Sequence, residues 1–169
     1  MLLAQEGGYD AVQMREVSAR ADVALGTIYR YFGSKDEILA EGLVGWVADV
    51  RDRIGRRPRR GDTPGEQLAD ALRAASRVPD DVTPLLRAVM TAMSSRSISV
   101  AAKSRELHDL MRAIVRESIG TPPTGVDVDA VARIVAHVWS SGLGQWVGGV
   151  APASAIGDDL ALAAHLLLD

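Results

Sequence analysis

The sequence predicts an all-α protein with a small N-terminal head and a larger C-terminal helical body. Apolar residues recur every three to four positions through most of the chain, which is the spacing of one helix face. No stretch shows the strict apolar-polar alternation or the Asn-Gly turn that is typical of strands. The 169 residues, 47% of them hydrophobic, suffice to bury a substantial core. We expect the head at residues 1–45 and the body at residues 46–169.

The composition excludes several classes of protein. The chain has no cysteine, which excludes thiol catalysis, disulfides and thiolate metal sites. No apolar run approaches the roughly 18 residues that a membrane span requires, and no signal peptide is recognisable. We therefore expect a cytoplasmic protein with no membrane association and no cofactor or metal.

Residues 8–43 carry the most informative pattern. Helices are predicted over 13–21 and 25–32, joined by a three-residue turn in which Asp22 can adopt the left-handed conformation. Two short helices joined in this way form a helix-turn-helix, whose second helix enters the major groove of DNA.

The second helix should present one face to DNA and another to the protein core. Gly26 would let the helix approach the groove closely, since a glycine inside a helix otherwise only costs stability. Tyr29 should be solvated, because one short helix cannot bury Tyr29, Tyr31 and Phe32 on a single face. Val23, Ile28 and Phe32 are expected to face inward. The candidate DNA contacts are Gln13, Arg15, Leu25, Gly26, Thr27, Tyr29, Arg30 and Lys35.

A third helix should begin sharply after Gly33. Ser34-Lys35-Asp36-Glu37 matches a capping box, in which Ser34 caps the helix and Glu37 reaches back. A helix N-terminus beside a lysine also suits a phosphate group. The apolar stripe from Ile38 to Ile54 predicts that this helix continues and connects the head to the body.

These residues resemble the N-terminal domain of the TetR family of bacterial transcriptional regulators. The family signature is a Gly-Thr-hydrophobic-Tyr recognition helix, followed by Phe and a Ser-Lys-acid helix start. Here it reads Gly26-Thr27-Ile28-Tyr29, Phe32 and Ser34-Lys35-Asp36. Three positions depart from the family: Asp22 replaces the usual turn glycine, Ala24 the serine cap, and Gln13 the Thr or Ser that contacts a phosphate.

The resemblance implies a homodimer that binds a palindromic double-stranded DNA operator. Gln13, Tyr29 and Lys35 would hold phosphates, and Arg30 or Thr27 would reach a base edge. Tyr9 matches a family aromatic that closes the small core of the head. TetR-like heads begin with a longer first helix and a basic arm, whereas residues 1–6 form about a turn and a half before Gly7-Gly8. Either the start is assigned late, or the helix is abbreviated and the packing behind the helix-turn-helix is weakened.

The charge distribution bears on how DNA would be held. The net charge is −3, and residues 1–60 hold ten Lys and Arg against nine Asp and Glu. Affinity should therefore come from a few placed cations, such as Arg15, Arg30 and Lys35, and from two copies acting together. Four arginines within the loop 55–61 could also touch DNA, although a solvated loop on the body side is favoured because Pro58 and the glycines lie past the connecting helix.

Five further helices are predicted in the body. Thr63 and Glu66 form a second capping box around Pro64, and Asp127 or Asp129 caps a later helix. The predicted ranges are 64–78, 83–93, 100–119, 128–147 and 155–168.

The last two of these helices offer more apolar surface than one packing contact requires. Small residues at 140–144 permit close helix approach, and in TetR-like proteins the last two helices form the dimer. The alternative is that these side chains are monomer core only. The predicted dimer contacts are Val135, Val138, Gly142, Trp146, Leu162 and Leu166.

Methionines and tryptophans of the body suggest a cavity for a hydrophobic effector, although core packing explains the same residues. The predicted pocket residues are Leu86, Met90, Met93, Leu110, Met111, Ile114, Trp139 and Leu143. Within the family, the head and the segment RIVAHVWSSGLGQW are most similar to actinobacterial regulators of sterol and lipid catabolism, the KstR type. That similarity implies a large apolar ligand such as a sterol or an acyl coenzyme A thioester.

Two other classes of protein compete with a ligand-released repressor. His108 with Glu106 and Asp109 could form a metal or acid-base site, but no HExxH or Gly-x-Ser-x-Gly motif supports an enzyme. A helical protein-interaction module would use the same apolar helices but has no need of Gly26 and Tyr29 in register with Lys35. We therefore expect a regulator rather than an enzyme.

Overall fold

A computed structural model describes residues 1–77 and 82–169 of the chain, and these form nine helices and no strand. The all-α prediction is confirmed. The helices are α1 (Leu2–Ala11), α2 (Met14–Ala21), α3 (Leu25–Tyr31), α4 (Lys35–Gly55), α5 (Pro64–Ala75), α6 (Thr83–Met93), α7 (Ile98–Ser118), α8 (Val128–Val147) and α9 (Ala153–Leu168). No helix within the described ranges is both long and apolar enough to cross a membrane.

Side-chain caps determine where two helices of the body begin. Thr63 accepts a hydrogen bond from the Glu66 backbone, and the Glu66 carboxylate returns to the Thr63 backbone, which completes the predicted capping box. Asp127, rather than Asp129, caps α8 by accepting from the backbone of the next turn. The predicted end of α5 at Val78 lies outside the described residues.

The first helix differs from its prediction. Gly7 and Gly8 leave helical geometry, and Gly8 has φ 67° and ψ −160°, so the expected interruption is present. A further helical turn follows and ends at Ala11. The next residue, Val12, is only 3% exposed and packs in the core of unit 1. A short first element therefore still contributes to packing.

The chain divides into two compact units whose boundaries differ from the predicted 1–45 and 46–169. Unit 1 contains Met1–Trp46 and residues 82–106, and unit 2 contains residues 47–77 and Leu107–Asp169. The division into a DNA-binding and an effector-binding domain stays a prediction. Unit 1 includes α6 because its core combines residues of the first forty positions with α6: Ala4, Val12, Leu39, Ala88, Val89 and Ala92.

Unit 2 is built around α9, which packs against both α5 and α8. Leu68 and Leu72 of α5 and Leu160 of α9 are fully buried. A Cβ atom on Gly142 of α8 would lie 3.2 Å from Cγ1 of Ile156, so the small residue permits α8 and α9 to approach closely.

Candidate nucleic-acid interface

The turn between α2 and α3 is closed by the side chain and backbone of Ser18. Asp22 adopts φ 53° and ψ 44°, the left-handed conformation that the sequence predicts. The Ser18 hydroxyl donates to the Val23 carbonyl at 2.6 Å, and the Val23 amide donates to the Ser18 carbonyl at 3.1 Å. These paired bonds fix the turn without the glycine that the family usually has there.

The helix α3 presents one face to solvent and one to the core. Ile28 is 8% exposed, whereas Tyr29 is 53% exposed, and Gly26 and Arg30 are exposed as well. Positions 26, 29 and 30 lie at the i, i+3, i+4 spacing of one helix face. A Cβ atom on Gly26 would meet nothing within 4 Å. Leu25 and Thr27 are half-buried and lie beside this exposed face of α3.

The inward set that the sequence predicts is only partly correct. Ile28 is buried and Phe32 is half-buried, but Val23 is 39% exposed. Neighbouring α2 likewise contributes no fully buried side chain.

Tyr31 is an exposed aromatic residue outside the predicted set of DNA contacts. It is 66% exposed, and the Arg30 guanidinium lies 5.1 Å from its ring centroid. Arg30 also donates from Nη2 to the Tyr31 hydroxyl at 3.3 Å. The aromatic run at residues 29–32 does not show from sequence alone that Tyr31, as well as Tyr29, is exposed. Stacking orients the Arg30 side chain at the end of the exposed face.

Lys35 is not a free cation at the start of α4. Its Nζ donates to the Tyr9 carbonyl at 3.0 Å and lies 3.7 Å from the Tyr9 ring centroid. The Tyr9 hydroxyl in turn donates to Oδ1 of Asp36 at 2.5 Å. Tyr9 also packs against the core of unit 1. This arrangement ties the residues after Gly8 to the first turn of α4.

The capping interaction at α4 is shifted by one residue from the predicted box. Ser34 Oγ accepts from the Glu37 amide at 3.2 Å, as expected. The Glu37 carboxylate accepts from the Gly33 amide at 2.9 Å, where the box would place the Ser34 amide.

The remaining candidate contacts lie at the start of α2. Gln13 is exposed, and its Nε2 donates to the Asp10 carbonyl at 2.8 Å. Arg15 is exposed and forms no ion pair with the described residues. Arg20 is occupied by an ion pair with Glu6 at 2.7 Å, which lowers the pKa of that carboxyl.

The Tyr9–Asp36 bond makes a testable contribution to stability. Its hydrogen bond to the Asp36 carboxylate, with burial and the nearby negative charge, raises the pKa of Tyr9 to about 12, from about 10 for an ordinary phenol. A raised pKa means that the folded state holds the phenolic proton more tightly. The stabilisation is therefore complete below pH 10 and lost as the pH rises through about 12.

Tyr9→Phe is expected to lower the melting temperature by about 2–4 °C at pH 7, the effect of about 1 kcal/mol in a chain of this size. The difference in melting temperature between the intact chain and the variant should shrink between pH 10 and 12, as measured by thermal melts followed by circular dichroism. Tyr31→Phe, which changes an exposed tyrosine, is the control. A difference that is constant with pH would contradict a role for the phenolic proton.

The predicted pocket residues are divided between the two units. Met93 packs against the core of unit 1, and Leu86 and Met90 belong to the same unit, whereas the other five belong to unit 2; all eight stay predictions. The sequence left core packing as the alternative to a pocket, and Leu86, which is 5% exposed, and Met93 both have packing positions in unit 1. In unit 2, Ile114 and Trp139 are buried, while Leu110, Met111 and Leu143 are half-buried.

The predicted dimer residues lie on or near a groove between α8 and α9. This groove of about 470 Å³ is lined by Val138, Gly142, Leu162 and Leu166, among others. Leu162 and Leu166 are 58% and 77% exposed. Val135 is fully buried within the single chain, so it offers no surface to a second copy. Trp146 is half-buried and does not line the groove.

The acidic residues of the alternative catalytic site, Glu106 and Asp109, are paired with basic side chains. Glu106 bonds Lys103 at 3.0 Å, and Asp109 forms an ion pair with Arg112. Across the part of the chain that the structure describes, no cluster of three acidic or histidine side chains could hold a metal.

A helix-turn-helix with an exposed second helix, followed by a second helical unit, is typical of DNA-binding transcriptional regulators. Two family models match the chain: "Bacterial regulatory proteins, tetR family" over residues 1–41, and "Tetracyclin repressor-like, C-terminal domain" over residues 61–167. The chain belongs to the TetR family of bacterial regulatory proteins.

Curated relatives include proteins named "HTH-type transcriptional repressor KstR". The protein from Rhodococcus jostii (strain RHA1) is 37% identical over 99% of this chain and 78% of its own length. The protein from Mycobacterium tuberculosis (strain ATCC 25618 / H37Rv) is 33% identical over 99% of this chain and 76% of its own. The chain is also similar to a solved TetR transcriptional regulator from Rhodococcus sp. RHA1, with TM-score 0.83, 25% identity, and coverage of 98% and 89% of the two chains.

These comparisons confirm the predicted family and the predicted kind of function. The relatives are repressors rather than enzymes, which decides against the catalytic alternative. The individual contact, pocket and interface residues stay predictions.

Proposed function

We propose that the chain is a homodimeric repressor that binds a palindromic DNA operator and is released by a hydrophobic small molecule. The exposed face of α3, formed by Gly26, Tyr29 and Arg30 behind a closed turn, carries this proposal. Similarity to repressors of the TetR family supports it. Since its target is chromosomal DNA, the repressor acts in the cytoplasm.

In this proposal α3 lies in the major groove and reads bases with few side chains. Arg30, oriented by its stacking on Tyr31, or Thr27 reaches a base edge, and Gly26 allows close approach. Gln13, Tyr29 and Lys35 hold phosphates on either side and set the orientation of the helix. Arg15, exposed at the start of α2, adds a further positive charge.

The proposed dimer forms through α8 and α9. The exposed leucines at 162 and 166, with Val138, make an apolar surface that a second copy would cover. Gly142 lies at the base of the groove, where it lets α8 and α9 of one chain approach closely and so shapes the surface that a second copy would cover. Trp146 lies at the edge of this surface in our proposal, and Val135 is excluded from it.

The proposed effector is a large apolar molecule, a sterol or an acyl coenzyme A thioester. Its binding residues would come from unit 2, where Leu110, Met111 and Leu143 are half-buried beside the buried Ile114 and Trp139. The effector would bind better to a conformation in which the two heads do not match the operator half-sites. Effector binding would then shift the protein toward that conformation, which releases the operator.

The experiment that tests this function is a fluorescence-anisotropy titration with duplex DNA from the gene's own upstream region, at several salt concentrations. Two copies with about three placed cations each would neutralise about six phosphates, which predicts a slope of log K against log salt near −5. An unrelated duplex of equal length is the control. A sterol and an acyl coenzyme A thioester are then added to the bound complex.

Equal affinity for both duplexes at every salt concentration would contradict specific operator binding. A slope near −10 would show that further cations contact DNA. Failure of both ligands to release the DNA would overturn the proposed effector class but not the repressor.

A further inference from the structure

A cavity of about 330 Å³ lies within unit 2 beneath the loop that follows α4. The loop supplies three arginines to its lining, Arg57, Arg59 and Arg60, while α5 and α7 supply Gln67, Asp70 and Glu117. The volume lies at the lower end of the range of about 300–1,000 Å³ that is usual for small-molecule sites. None of the residues proposed above to contact DNA, the effector or a second copy lines this cavity.

The loop over the cavity is held in place by bonds to the helices on both sides. Arg57 forms an ion pair with Asp70 at 3.2 Å, and Arg59 donates from Nη2 to the Glu117 carbonyl at 3.2 Å. Gln67 donates to the Gly61 carbonyl at 3.2 Å and accepts from the Gly120 amide at 2.9 Å. The cavity therefore exists before any ligand enters, which reduces the ordering cost of binding.

The charges of the lining do not cancel. The Asp70 carboxylate is paired with Arg57, and the Glu117 carboxylate is paired with Arg51, which lies outside the lining. That pairing lowers the pKa of the Glu117 carboxyl. Arg59 bonds a carbonyl oxygen rather than a carboxylate, and Arg60 forms no ion pair with the described residues. Within residues 1–77 and 82–169, two guanidinium groups of the lining thus form no ion pair with a carboxylate.

We propose that this cavity binds a small anion bearing phosphate groups, held by Arg59 and Arg60. Guanidinium groups match phosphate oxygens in bidentate geometry, and their charge is permanent at any physiological pH. Arg57, neutralised by Asp70, anchors the loop. The site concerns unit 2 alone and goes beyond the proposed operator binding.

Isothermal titration of the full chain with inorganic pyrophosphate, at low and moderate salt, tests the site. The intact chain is expected to bind one pyrophosphate per chain. The double variant Arg59→Gln, Arg60→Gln is expected to bind pyrophosphate about 100-fold more weakly. Arg56→Gln is the matched control, since Arg56 is exposed in the same loop but does not line the cavity. Arg60→Gln alone should retain the fold, because Arg60 makes no bond in the described structure, and should weaken binding about tenfold.

Three outcomes would overturn the proposal. Equal pyrophosphate binding by the double variant and the Arg56 variant, or no saturable binding by the intact chain, would show only a nonspecific basic surface. Weaker binding of operator DNA by the double variant than by the Arg56 variant, without pyrophosphate, would show that the loop contacts DNA instead.

Discussion

Replacing Tyr29 and Arg30 by alanine is expected to reduce operator affinity by about a thousandfold or more. One bidentate base contact contributes about 1–3 kcal/mol, and a dimer loses it at both half-sites. The proposed phosphate contact of the Tyr29 hydroxyl would add about 1 kcal/mol at each site. Both side chains are exposed, so the fold should be retained. Anisotropy titration with operator DNA, beside circular dichroism of the free protein, measures the two effects separately.

The matched control for this loss of charge is Arg53→Ala. Arg53 is exposed on α4 and forms no ion pair with the described residues, so its removal changes net charge equally. If the α3 variant binds the operator as tightly as the Arg53 variant, then α3 is not the recognition helix.

Replacing Leu162 and Leu166 by glutamate is expected to convert the proposed dimer into monomers. Each interface would bury four added carboxylates without partners, and each such charge costs several kcal/mol, so the dimer Kd should rise by more than about a thousandfold. Operator affinity should fall as well, because two half-sites would no longer be bound by one linked pair of heads. Sedimentation velocity and anisotropy titration measure these two effects.

Val150→Glu is the control for adding charge to an exposed apolar position. Val150 and Leu166 are both 77% exposed, but only Leu166 lines the groove between α8 and α9. A Leu162, Leu166 variant that sediments like the Val150 variant would place the dimer contact elsewhere.

Local sequence signals predicted most helix boundaries, and the reason is physical. The left-handed Asp22, the Thr63 capping box and the Asp127 cap each act through residues within a few positions. Their effect on the backbone is therefore independent of the rest of the fold. The bounds of α6 and α8 also agree with prediction: Asp127 caps α8, and α6 has Pro84 in its first turn.

The partners of the apolar faces could not be predicted in the same way. The stripe of α6 has the same spacing whether it packs in the head or in the body, and only the tertiary structure places Met93 against the core of unit 1. Periodicity likewise groups Val135 with Leu162, although one is fully buried and the other is 58% exposed. The bond from Lys35 to Tyr9 spans 26 positions, beyond any local signal.

The contact between Lys35 and Tyr9 has a consequence for the conformational entropy of DNA binding. A lysine side chain carries about 2 kcal/mol of rotamer entropy, which is lost when its ammonium group is fixed. Here that ordering occurs when the protein folds, since Nζ is both hydrogen-bonded and stacked on the ring. The ammonium has three N–H donors, and one is directed at the Tyr9 carbonyl. In the proposed complex, a phosphate that meets the other two would bind a side chain already in place, whereas Arg15 would have to be ordered by the DNA itself.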